Sequence, residues 1–291
     1  MLAKVALIGY GYWGSKLARI LDQLGVLQAI LDIDPDRLIV AGVQYPQAFR
    51  GVSLDEVRGS FDAVAIATPP ETHYALACQA LAGNLHTFVE KPLATTYKEA
   101  KAIEDMATEK GLTLRTGHTY LHCPGILNLP HPLGRATLFV RLLNPGGGPN
   151  QTQRSLKWAA LPHAVSLALH IFQDMPDQIE VVFGSESRIR LILSWWRGLM
   201  AYLDVGDNTG IRERCVELHW GNTRYIVDIA SAPFTCEIFS GTKYRSFTSW
   251  DKPHVNEPLK LECEAFLIGD KSVDTLGSRV VKLIESIPGL K

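Results

Sequence analysis

The stretch Gly9-Tyr10-Gly11-Tyr12-Trp13-Gly14 sets three glycines at the spacing that brings backbone N–H groups against a phosphate. The first glycine permits a tight strand-to-helix turn. The second lets the main chain approach a pyrophosphate, and the third allows a helix to pack closely on the strand. Asp32 follows eighteen residues after Gly14. A carboxylate there accepts hydrogen bonds from an adenosine ribose diol and repels a 2′-phosphate, which favours NAD over NADP. Gly9, Gly11, Tyr12, Trp13, Gly14 and Asp32 are the expected cofactor-binding residues, for NAD or NADP with NAD preferred.

A second group lies in SLKWAALPHAVSLALHIF, residues 155–172, where His163, Ser166 and His170 interrupt an apolar run. Separations of three and seven residues put all three on one helical face. The histidines are then about 10 Å apart along the axis, too far to share one metal ion. A histidine there acts singly, as a proton acceptor or donor near neutral pH. Spacing alone leaves open whether His163 or His170 does chemistry or both are structural. No set of residues has metal-ligand spacing, so no metal is expected.

The elements that must hold these residues are legible in the patterning. Val5 to Ile8 is an apolar run suited to a strand buried on both faces. A helical pattern follows through Leu17, Ile20, Leu21 and Leu24, then a strand in LQAILDIDP. Asp34 and Asp36 are placed to cap a helix beginning near Pro35. FDAVAIATPP, HTFVEKP and LTLRTGH read as further strands, separated by helices in ETHYALACQALAG and TTYKEAKAIEDMATEKG. Strand–helix alternation predicts an α/β fold with a parallel, doubly wound Rossmann sheet, its ligands at the strands' C-terminal ends. Those ends carry Thr68-Pro69-Pro70, Glu90-Lys91-Pro92 and Gly117-His118.

After His118 the pattern changes to short strands with turn signals between them, from GRATLFVRLLN to FTCEIFSG. Gly221-Asn222 marks a hairpin. Residues 1–118 are expected to be the dinucleotide-binding domain. Residues 119–291 are expected to be an α+β substrate-binding and dimerisation domain with a mostly antiparallel open sheet, its last helices returning towards the first domain. Trp195 and Trp196, adjacent on a strand, must point to opposite faces.

Composition narrows the functions. The 291 residues carry 29 basic and 30 acidic side chains, a net charge of −1, with no long run of one sign. Nucleic-acid or membrane-surface binding needs a basic footprint, so neither is expected. The five cysteines are scattered without a CxxC pair, which fits a reducing cytoplasm. The N-terminal apolar run ends at glycines and reads as a strand rather than a signal peptide.

In these motifs the sequence resembles the Gfo/Idh/MocA oxidoreductases. The matching pieces are GYGYWG at 9–14, LDIDPDR at 31–37, ATPPETHYALA at 67–77, VEKPLATT at 89–96, GHTYLHCPG at 117–125 and EPLKLECEAFL at 257–267. GHTYLHCP, RLLN and LPHAVS further resemble the branch that oxidises the 3-hydroxyl of nucleotide-linked sugars.

The resemblance implies an NAD(P)-dependent oxidoreductase moving hydride between nicotinamide and a sugar-like hydroxyl or keto carbon. Its partners would be a small-molecule substrate and further copies of itself, as a homodimer or higher homo-oligomer. Lys91 inherits the family's catalytic lysine, often followed by a cis proline. By the same resemblance Glu90, Lys91, Thr68, Pro69 and His73 line the cofactor. Tyr120, His122, Asn144, Arg154 and Lys157 are the implied substrate residues, the last three on or near a glycine-rich loop that resembles a lid.

One departure bears on the chemistry. The resemblance makes His163 the catalytic acid–base histidine and leaves His170 structural; the family's helix carries acids around that histidine, and this chain has Ala159 and Ala164 there. Two alternatives follow: an NAD(P)H-dependent reductase of C=N or related bonds, and a non-catalytic cofactor-sensing regulator.

Overall fold

The computed structural model describes residues 2, 4–57, 59–144, 156–207, 210–230, 235–248 and 257–290. The chain divides into two compact units. One is Met1–Gly117 with Leu259–Val281, and the other is His118–Pro258 with Lys282–Lys291.

The first unit is built on six parallel strands: β1 (Val5–Ile8), β2 (Leu27–Leu31), β3 (Phe49–Gly51), β4 (Ala63–Ile66), β5 (His86–Glu90) and β6 (Leu114–Gly117). Their order is β3-β2-β1-β4-β5-β6, the doubly wound arrangement with its switch point between β1 and β4. Helices α1 (Tyr12–Gln23), α2 (Pro35–Gln44), α3 (Pro70–Ala82) and α4 (Tyr97–Lys110) make the crossovers. On α1, Leu17, Ile20 and Leu21 are at most 1 % exposed, so the apolar stripe is the buried one. Truncating any of them to alanine costs about 2–5 kcal/mol. Asp34 caps α2 by accepting from the Asp36 N–H at 3.0 Å, and Thr96 caps α4 by accepting from the Glu99 N–H.

The C-terminal segment completes this unit. Within α8 (Pro258–Leu267), Leu259, Cys263, Phe266 and Leu267 join the core around β1 and β2. Phe266 meets Phe88 with ring centroids 5.7 Å apart. Val273 bridges to Leu114 of β6, and Ser278, at the start of α9 (Leu276–Glu285), donates to the buried Glu104 carboxyl of α4.

The second unit is an eight-stranded sheet. Its strands are β7 (Ala136–Leu143), β8 (Gln178–Gly184), β9 (Arg188–Trp195), β10 (Leu199–Gly206), β11 (Glu213–Trp220), β12 (Thr223–Asp228), β13 (Thr235–Ser240) and β14 (Lys243–Thr248). They lie in the order β14-β13-β12-β11-β7-β10-β9-β8, antiparallel except for the β7–β10 pair. Gly221, with φ of 58°, turns the chain between β11 and β12.

One face carries Leu138, Val140 and Leu142, all fully buried. The helix α7 (Leu161–Phe172) packs against β7 and β10. The opposite face carries Phe139, stacked on Tyr202 at 5.0 Å. Trp195 is 4 % exposed and meets Phe172, while Trp196 is 76 % exposed. The segment after β6 forms only a 3₁₀ turn (Thr119–His122) and one helical turn, α5 (Pro124–Leu127).

Candidate active site

In the first unit the glycine-rich turn follows from close approach. Gly9 has φ of 93°, a conformation L side chains rarely adopt. A Cβ on Gly14 would stand 1.9 Å from the Gly9 carbonyl oxygen, so only glycine lets the first turn of α1 sit against the strand end. Gly11 is the N-cap of α1 and supplies no side-chain cap. The helix therefore offers its first backbone N–H groups and its positive dipole end to an anion, which suits a pyrophosphate.

Asp32 directly follows β2 and is 5 % exposed. Its Oδ2 accepts from the Tyr10 N–H at 2.6 Å and its Oδ1 from the Asp34 N–H at 2.9 Å. These two bonds fix the carboxylate beside the glycine turn. Arg37 approaches the same Oδ2 at 3.5 Å and also pairs with Asp34. Arg37 was not among the expected site residues, although it lies within the motif that carries Asp32. At the mouth of α1, Lys16 donates to the Tyr12 hydroxyl at 3.0 Å and stands over the Tyr12 and Trp13 rings.

Glu90 and Lys91 lie at the C-terminal end of β5. Glu90 is 7 % exposed, and its carboxyl accepts from Trp13 Nε1 and from the Lys91 N–H. Burial pushes its pKa up to about 7, against the lowering effects of Lys91 and Trp13. The carboxyl also occupies the space a Cβ on Gly117 would fill, 2.9 Å away. Glu90 thus ties the glycine-rich turn to the root of Lys91. The Lys91–Pro92 bond is cis, and the lysine is half-buried.

His73 requires a correction. The resemblance places it along the cofactor, but it is 1 % exposed, and both ring nitrogens meet backbone carbonyls, Pro92 O at 2.7 Å and Thr68 O at 2.9 Å. It braces the Thr68–Pro69 loop to the Lys91–Pro92 turn rather than facing a ligand. Burial lowers its pKa, partly offset by the two carbonyls. Thr68 and Pro69 form the loop leading into α3, with Pro69 as its N-cap and the Thr68 hydroxyl accepting from Thr72 at 2.7 Å.

In the second unit, His163 and His170 are the two residues of α7 that are not buried. The His163 ring lies against Tyr120, centroids 4.7 Å apart. His170 meets His131 edge-on at 5.4 Å. Ala164 is fully buried on α7, whereas Ala159 belongs to a separate turn, α6 (Leu156–Ala159). Tyr120 and His122 come from the 3₁₀ turn that packs on α7. Burial raises the Tyr120 pKa, while Arg214 and Arg212 pull it down.

Lys157 is a second correction. Its ammonium donates to the Leu290 carbonyl at 2.7 Å, so it fastens the C-terminal segment instead of reaching for substrate. Asn144, with φ of 45°, donates from Nδ2 to Ile211 O at 2.8 Å and anchors the end of β7 beside Arg212. Arg154 lies outside the described residues. Among the described residues no three His, Cys, Asp or Glu side chains gather as a metal site, and no helix is long and apolar enough to cross a membrane.

UDP-N-acetylglucosamine 3-dehydrogenase from Acidithiobacillus ferrooxidans is 34 % identical over 116 residues, 40 % of this chain and 36 % of that protein. The aligned stretch therefore spans about a third of that relative. A solved structure of the same enzyme superposes with a TM-score of 0.87 at 22 % identity, covering 98 % of this chain and 96 % of the other. A levoglucosan dehydrogenase in complex with NADH and levoglucosan gives 0.83 at 15 % identity, over 98 % and 96 %. These likenesses establish the fold along the chain. Residues 3–118 match the Gfo/Idh/MocA family, described as an oxidoreductase family with an NAD-binding Rossmann fold. Through these residues, about 40 % of its length, the chain is similar to the Gfo/Idh/MocA oxidoreductases.

Proposed function

We propose that the protein is a nicotinamide-dinucleotide-dependent oxidoreductase acting on a hydroxyl or keto carbon of a sugar-like small molecule, with NAD preferred. The observation that carries this reading is the uncapped start of α1 behind Gly9 and Gly14, with Asp32 fixed beside it. When bound there, the nicotinamide supplies or accepts a hydride. The Asp32 carboxylate takes the ribose hydroxyls and disfavours a 2′-phosphate. The Lys91 ammonium hydrogen-bonds the reacting oxygen and stabilises negative charge growing on it. His163 takes the hydroxyl proton on oxidation and returns it on reduction, its ring held against Tyr120 in place of the carboxylates the resemblance implies. Glu90 and His73 are positioning residues that hold Lys91.

The names of the relatives support a sugar substrate, since one acts on UDP-N-acetylglucosamine and another was solved with levoglucosan. A cytoplasmic location fits five cysteines, none in a disulfide. Self-association as a homodimer or higher homo-oligomer is supported by the Phe139–Tyr202 aromatic face, and sedimentation tests it.

The deciding experiment incubates stoichiometric protein with NAD and a panel of UDP-N-acetylglucosamine, glucuronate and levoglucosan, following reduced nicotinamide. A parallel arm offers NADH with cyclic imines. Reduction of NAD by at least one sugar is the expected result. Turnover of imines alone replaces the reading with a C=N reductase. NADH binding without any turnover places the chain among cofactor-sensing regulators, and absence of binding removes the cofactor assignment.

A further inference from the structure

The register of β11 places a charge on an apolar face. Arg214 pairs with Leu142 of β7, and Val216 pairs with Val140. Leu142, Val140, Val216 and Leu218 are all fully buried, so Arg214 projects to the face that α7 covers. Its neighbours Glu213 and Cys215 point the other way, where Glu213 pairs with Arg141 at 2.9 Å. Arg214 therefore gains nothing from that carboxylate.

Its Nε is fully buried without a hydrogen-bond partner among the described residues. Leaving a guanidinium N–H unpaired in such a place is costly unless a ligand completes it. Arg212, two residues earlier and exposed, follows Ile211, whose carbonyl holds Asn144. Among the described residues neither arginine has an ion pair within 4.0 Å. Both pull the Tyr120 pKa down against its burial, and the Tyr120 ring lies tilted against His163, centroids 4.7 Å apart. Positive charge thus gathers beside the proposed proton-transfer residue on one end of this unit.

We infer that Arg214, assisted by Arg212, binds an oxyanion of the substrate and presents the rest of that molecule to Tyr120 and His163. The assignment rests on His163 facing substrate. The planar Nε–Nη edge of an arginine matches a carboxylate or a phosphate bidentately. Two sources carry that chemistry, a sugar carboxylate and the diphosphate of a nucleotide-linked sugar.

Calorimetric titration of the full chain with D-glucuronate, UDP and neutral D-glucose, each with and without NADH, separates them. One of the two anions should bind about tenfold or more tightly than glucose, and more weakly as salt rises. Arg214→Gln should remove that preference, and Arg214→Lys should restore part of it by keeping charge without the fork. Arg212→Gln should weaken the anion less than Arg214→Gln. NADH affinity, measured on the same variants, should stay within about twofold, so that failure of the cofactor reading shows separately. Equal affinity of the wild type for glucose and both anions overturns the inference. So does undiminished anion binding by Arg214→Gln; if that variant does not fold, the comparison of anions with glucose on the wild type decides.

Discussion

Replacing Glu90 with glutamine should change how stability depends on pH more than it changes stability at any one pH. Glu90 is buried, and its pKa is pushed from the ordinary 4.5 up to about 7. A carboxyl whose folded pKa is raised holds its proton more tightly in the folded state. Its favourable contribution is complete below 4.5 and is lost as pH rises through about 7. At 1.36 kcal/mol per pH unit, that displacement is worth about 3 kcal/mol in all. Glutamine keeps an acceptor for Trp13 Nε1 but cannot ionise, and its NH2 group cannot accept from the Lys91 N–H. The lost bond adds an offset independent of pH, so the slope carries the test. Urea unfolding of both proteins from about pH 5 to pH 8.5 should show Glu90→Gln gaining about 2–3 kcal/mol on the wild type across the window, with m unchanged. A stability difference that stays flat over this range would mean that Glu90 is ionised at its ordinary pKa, and the buried-carboxyl reasoning would fail.

Other residues give independent tests. Gly14→Ala puts a Cβ 1.9 Å from the Gly9 carbonyl, so dinucleotide binding should be lost and unfolding eased by roughly 3 kcal/mol or more, read by NADH titration and thermal melting. Asp32→Asn keeps an acceptor for the Tyr10 N–H, removes the repelling charge and releases Arg37. Its ratio of NADP to NAD affinity should rise about tenfold or more, and an unchanged ratio would contradict the role given to Asp32. His73→Ala leaves one of the Thr68 and Pro92 carbonyls without its buried donor and opens a cavity between them, so it should cost about 2–4 kcal/mol in urea, whereas a neutral change would show that the brace carries no load.

What could be read in the sequence was what depends on neighbours in the chain. The glycine turn, Asp32, the cap at Asp34 and the helix after Pro162 all follow from local backbone and patterning rules. Strand β3, only three residues with two of them exposed, carries too little apolar signal to announce itself. β14 escapes for a similar reason, since Lys243, Tyr244, Arg245 and Ser246 are all exposed. The bonds that settle side-chain roles join distant positions. Trp13 and Glu90 are 77 residues apart, and Lys157 and Leu290 are 133 apart. No spacing rule reaches so far, so nothing local to Lys157 shows that it turns to the C-terminal segment. Arg214 was within reach: in RCVELHW it interrupts the alternating positions held by Val216 and Leu218, and a charge on a buried face asks for a partner.

On the function proposed, Lys91 belongs to a centre where hydride passes between a sugar carbon and a nicotinamide. The most direct measurement uses a sugar substrate from the panel, deuterated at the reacting carbon, with mass spectrometry of the recovered cofactor. Wild-type protein should move deuterium to the nicotinamide ring. Lys91→Ala should bind NADH with nearly unchanged affinity and move none. Sugar oxidation that leaves the cofactor unlabelled, or deuterium transfer that survives Lys91→Ala, would contradict the account.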